Sequence, residues 1–78
     1  MSKLFETFFH QKAGVVRAQR EAIEKILSTG PSTVAAIAQS TGFKEDLVLW
    51  NILGMMRWGT VDVAGEEGHE IKYALKEV

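Results

Sequence analysis

The chain has no cysteine, two histidines and one proline. Without thiols there is neither a disulfide framework nor a thiolate metal site, and His10 and His69 alone cannot build a structural zinc centre. No apolar run approaches the roughly 20 residues that a membrane span requires. The N-terminus also lacks a basic stretch leading into an apolar segment and a cleavage site, so a soluble, cytoplasmic protein is expected. No segment repeats at a fixed period and no low-complexity linker interrupts the chain, so residues 1–78 read as a single domain. A domain of this size buries only about 60% of the surface that its unfolded chain exposes, and its core is marginal. With disulfides and metals excluded, oligomerisation is the remaining means of support.

Catalytic constellations are missing as well. A nucleophile needs an adjacent base and an acid–base pair needs two titratable groups in a closed pocket, whereas the carboxylates here are scattered. Gly65 and Gly68 flank two glutamates, a pattern that repels phosphate instead of cradling it. His69 lies near Glu66, Glu67 and Glu70, which reads as a solvated charge cluster in a turn. A non-enzyme with no cofactor and no bound metal is expected.

What the sequence does contain is clear periodicity. Leu4, Phe5, Phe8 and Phe9 form one apolar stripe at helical spacing within residues 1–14, a candidate dimerisation element. Gly14 weakens helical continuity. A first main helix is then expected over 15–29, with Val15, Val16, Ala22, Ile23, Ile26 and Leu27 on one face and Arg17, Arg20, Glu21, Glu24 and Lys25 toward water. Gly30 and Pro31 end it. Ser32 or Thr33 can cap a short second helix over 33–41, whose inward stripe is Val34, Ile37 and Ala38. Ser40, Thr41 and Gly42 form a turn with Phe43 packed beneath it.

A third helix is expected over 45–58, with Glu45 and Asp46 in its first turn, where negative charge suits the helix dipole. Val48, Ile52 and Met55 or Met56 face inward; a rotation by one position would instead bury Trp50. Trp58 is read as a core plug before Gly59. The period then changes to that of strands. Val61 and Val63 alternate with polar neighbours, Gly65 to Gly68 is a turn, and Ile71, Tyr73 and Leu75 alternate in turn, giving a hairpin over 60–76.

The stretch VAAIAQSTGFKEDLV, Val34 to Val48, resembles a helix-turn-helix, with small Ala38, permissive Gly42 and the inward anchor Val48 at the motif's spacing. Its continuation through Ile52, Met55, Gly59 and Val61 resembles the recognition helix and wing of winged-helix regulators of the arsenic-repressor and multiple-antibiotic-resistance-repressor types. The resemblance covers residues 17 to 78. It implies an α+β, mostly helical fold: a three-helix winged helix-turn-helix with a C-terminal β-hairpin wing, here with an extra N-terminal aromatic helix. It also implies double-stranded DNA as partner, with the third helix in the major groove.

Charge is divided unevenly against that implication. Residues 1–29 hold five Lys/Arg and three Asp/Glu, whereas residues 30–78 hold four and seven. The candidate DNA contacts are Lys44, Asn51, Arg57 and Lys72, of which Asn51 suits adenine and the cations suit phosphate or guanine. The same helix turns Leu49, Trp50 and Leu53 outward, an apolar patch that suits a protein partner. Two readings follow. One is a homodimeric DNA-binding transcriptional regulator, to which Lys12, Arg17 and Arg20 of both subunits add positive surface; the other is a protein-interaction module. The first ranks slightly ahead.

Overall fold

A computed structural model describes the backbone of residues 3–76 and the side chains of residues 14–76. The elements run α1 (Lys3–Leu27), β1 (Ser32–Thr33), α2 (Val34–Thr41), α3 (Glu45–Arg57), β2 (Val61–Glu67) and β3 (Glu70–Leu75). This is the α+β helix-turn-helix with a hairpin that the resemblance implies. The strands form one antiparallel sheet in the order β1-β3-β2.

The core lies where the three helices meet the base of the hairpin. It comprises Ile23 and Leu27 of α1, Ile37 and Ala38 of α2, Val48, Ile52 and Met55 of α3, Val61 of β2 and Tyr73 of β3. Ile26, Val34, Phe43, Met56 and Leu75 pack against it half-buried. Each full burial of such an aliphatic side chain contributes about 1.5–3 kcal/mol before entropy opposes it. With so few of them, each contact counts.

Local chemistry sets the element ends. Thr33 is the N-cap of α2, its hydroxyl accepting from the Ala36 N–H at 3.2 Å. Gly42 closes α2 in the left-handed conformation with φ of 80°, and its N–H bonds to the Ala38 carbonyl at 2.8 Å. Glycine takes that conformation without the steric cost that a Cβ imposes.

Several expectations need correction. Gly14 does not divide the N-terminal region: one helix of 25 residues, Lys3–Leu27, runs unbroken through it. An isolated glycine costs about 1 kcal/mol relative to alanine in a helix interior, which good helix formers on either side can outweigh. Leu4, Phe5, Phe8 and Phe9 fall within α1, but their side chains lie outside the described residues. Val15, expected inward, is exposed. Among the described residues of α1, the core takes Ile23 and Leu27, with Ile26 packed against it.

The hairpin turn also moves. It consists of Gly68 and His69, with Gly68 at φ of 64°, and Gly65 instead lies within β2. The cause is an irregularity between Val63 and Gly65: Val63 pairs with Tyr73 and Gly65 with Lys72, leaving Ala64 as the extra residue. A bulge of this kind shifts the alternation by one, so the turn read from strict alternation falls too early. The third strand, β1, is too short to have a period; it pairs Ser32 with Tyr73 and Thr33 with Lys72.

Candidate nucleic-acid interface

α3 carries the candidate site because its two faces differ. Val48, Asn51, Ile52 and Met55 recur at helical spacing and are buried. Leu49, Trp50 and Leu53 stand outward, as the sequence suggests, with Trp50 55% exposed. The alternative rotation that would bury Trp50 is therefore not adopted.

Asn51, expected as an outward base reader, is fully buried. Its amide nitrogen donates to Gln19 Oε1 and to the Leu47 carbonyl, both at 3.1 Å, and its Oδ1 accepts from Arg20 Nε at 3.3 Å. A buried amide must be satisfied, and α1 supplies the partners. Asn51 therefore joins two helices and has no group free for a base edge. Its polarity alone suggested the wrong face, although it lies three residues after Val48, on the apolar period.

Arg20, expected to face water, is correspondingly half-buried. Its guanidinium lies 5.9 Å from the Trp50 ring centroid, within the range of a cation–π contact. It also covers Gly54, where any Cβ would meet its Nη2. That glycine gives the arginine its room. Trp58, expected as a core plug, is instead 79% exposed at the C-cap of α3. The interior at this end is already filled by Met55, Val61 and Tyr73, which leaves the indole outside.

The other cationic candidates are accessible to different degrees. Lys44 is the N-cap residue of α3 and is exposed; Arg57 is exposed in its last turn, where a positive charge suits the helix dipole. The two stand about 20 Å apart along the helix at 1.5 Å per residue. Lys72 is half-buried on β3, opposite Gly65. The structure thus does not gather Lys44, Arg57 and Lys72 into one cluster. Glu45 and Asp46 are exposed at the start of α3, and Glu66, Glu67 and Glu70 are exposed around the wing tip.

Trp50, Leu53, Gly54, Arg57 and Trp58 line one groove together with Arg20, about 430 Å³ in volume. Sequence reasoning missed Arg20, Gly54 and Trp58 as members of it. The signal was present: on α3 the five positions follow the spacing of a single helical stripe, i, i+3, i+4, i+7 and i+8. Among the described residues no group of three His, Asp or Glu could hold a metal ion. No described helix is long and apolar enough to cross a membrane.

No protein-family model matches the chain, and no curated protein matches it. Solved structures do. The Zalpha domain of Carassius auratus PKZ, solved in complex with Z-DNA, superposes with a TM-score of 0.71 at 19% identity, over 78% of this chain and 97% of its own. A homodimeric winged helix-turn-helix DNA-binding domain of Mycobacterium bovis, Mb0332, described as a possible ArsR-family transcriptional regulator, gives 0.71 at 25% identity, over 99% of this chain and 74% of its own. Lactococcus lactis ZitR, as an apo double mutant, gives 0.73 at 20% identity, over 99% of this chain and 64% of its own. With its helix-turn-helix, its wing and these likenesses, the chain is a winged-helix domain that resembles the arsenic-repressor type.

Proposed function

We propose that the chain is a DNA-binding transcriptional regulator that acts as a homodimer and works by binding, not by catalysis. The observation that carries this reading is the exposure of α3 beside the wing in a fold shared with domains that bind DNA. In this reading Lys44 and Arg57, at the two ends of α3, and Lys72 on the wing contact phosphates. Asn51 takes no part in base reading and holds α3 against α1.

The dimer rests on α1. A helix of 25 residues is about 37 Å long, and the molecule measures 48 Å on its longest axis against 28 and 19 Å on the others. Phe9, Val16 and Ile23 are seven residues apart, and Ile23 is in the core. The sequence sets Leu4, Phe5, Phe8 and Phe9 at helical spacing as one apolar stripe in the N-terminal part of α1, and we assign the dimer contact to it. A second copy of the same stripe provides cover and adds a second set of Lys12, Arg17 and Arg20. This arrangement offsets the acidic balance of residues 30–78.

A direct test is duplex binding at ~50 mM salt, where phosphate contacts are strongest. Wild-type protein binds, and Lys44→Ala and Arg57→Ala each weaken the complex across all sequences. Sedimentation equilibrium gives a dimer mass that Phe5→Ala with Phe8→Ala reduces toward the monomer. The alternative is a protein partner docked on Leu49, Trp50 and Leu53, which are exposed. Failure of the protein to bind any duplex, together with a complex abolished by Trp50→Ala, would establish that reading instead.

A further inference from the structure

We infer that the groove between α1 and the outer stripe of α3 is a stacking site for unpaired nucleobases, so that the preferred ligand is nucleic acid with bases out of the duplex. The inference rests on the nucleic-acid reading above and names the form of nucleic acid that the site takes.

The lining of the groove carries the argument. It consists of two indoles, two guanidiniums, one leucine and one glycine, with no carboxylate. Sequence-tolerant recognition of single strands uses this chemistry, in which aromatic faces stack bases and arginines serve phosphate and π-face together. The acidic groups lie outside this lining, on the first turn of α3, at the wing tip, at Asp62 and on α1, where Glu21 and Glu24 share with Arg20 a separate depression.

Trp50 and Trp58 are separated by about 12 Å along the helix axis, which leaves room for two or three bases at a spacing of ~3.4 Å. Trp58 has no core role, and its large apolar surface stands in water. Trp50 is already oriented, because Arg20 lies over its ring while Asn51 holds Arg20 by its Nε. Between the two rings, the space that a side chain at Gly54 would fill is taken by the Arg20 guanidinium, so the floor there is a planar cation. A platform fixed before binding loses little side-chain entropy when a base arrives.

The stripe also offers no side chain that suits adenine in an intact major groove. Recognition of adenine in a duplex uses Asn or Gln at the base edge. The one such residue on α3 is Asn51, which is buried and fully engaged. Flat aromatic surfaces need bases whose faces are accessible, and a paired, stacked base offers none.

The test uses the full chain and three fluorescently labelled ligands: an intact duplex, the same duplex carrying a bulge of about three nucleotides, and its single strand. The bulged and single-stranded ligands are expected to bind at least about fivefold more tightly than the intact duplex, with quenching of tryptophan fluorescence. Trp58→Ala removes the preference while leaving duplex affinity in place, and Trp58→Phe retains it; circular dichroism confirms that both variants are folded. Equal or tighter binding of the intact duplex, or an unchanged preference in Trp58→Ala, overturns the inference and leaves the proposed function standing. Failure to bind all three ligands overturns both. A concentration-dependent mass that Trp58→Ala abolishes, without preference for bulged DNA, assigns the groove to a second copy and likewise overturns the inference.

Discussion

Arg20 on α1 and Asn51 on α3 are joined by a hydrogen bond of 3.3 Å from Nε to Oδ1, at the level where Gly54 leaves space for the guanidinium. The same bond stabilises the fold and sets the candidate site, because it fixes the arginine that lies over Trp50. No buried side-chain nitrogen or oxygen among the described residues lacks a partner.

Asn51→Ala leaves Gln19, the Leu47 carbonyl and Arg20 each short of a partner. The expected cost is about 1–3 kcal/mol of folding stability, since a buried polar network is broken without replacement. Urea unfolding at constant m-value measures it. A change below a few tenths of a kcal/mol would mean that water replaces the amide at no cost, contrary to its complete burial.

Gly14→Ala acts in the opposite direction. The residue is exposed in the interior of α1, has no left-handed φ, and a Cβ there meets nothing within 4 Å. Alanine is expected to raise stability by about 0.5–1 kcal/mol, seen as a higher urea midpoint. A loss of stability would show that α1 is not continuous through this point.

Gly42→Ala keeps the space but not the conformation. Nothing lies within 4 Å of a Cβ at this site, so the penalty comes from φ of 80° alone. A loss of about 1–2 kcal/mol in thermal or urea unfolding is expected.

Thr33→Ala removes the oxygen that accepts from the Ala36 N–H. The expected cost is about 1 kcal/mol, and Thr33→Ser, which keeps a hydroxyl at the cap, restores most of it. Equal losses in the two variants would assign the effect to the missing methyl group instead of the cap.

These residues also mark how far the fold was legible beforehand. Gly42, Thr33 and the stripe Val48, Ile52 and Met55 signal their roles locally, through turn chemistry, capping and helical period, and the structure places them accordingly. The bulge at Ala64 was not legible, because one inserted residue imitates an early turn. The polarity of Asn51 suggests water, whereas its partners Gln19 and Arg20 are more than thirty positions away in the chain. The size of Trp58 suggests a place in the core. Its exposure follows from three other side chains already occupying that end of the interior, which is a property of packing and has no local sequence signal.

The proposal that this winged helix binds nucleic acid is tested most directly by the salt dependence of duplex affinity between ~50 and ~200 mM. Log K is expected to fall linearly with log salt, with a slope of roughly 0.9 per phosphate contact, and Arg57→Ala is expected to make the slope shallower by about one. No measurable binding at the lower salt, or a slope that Arg57→Ala leaves unchanged, would contradict it.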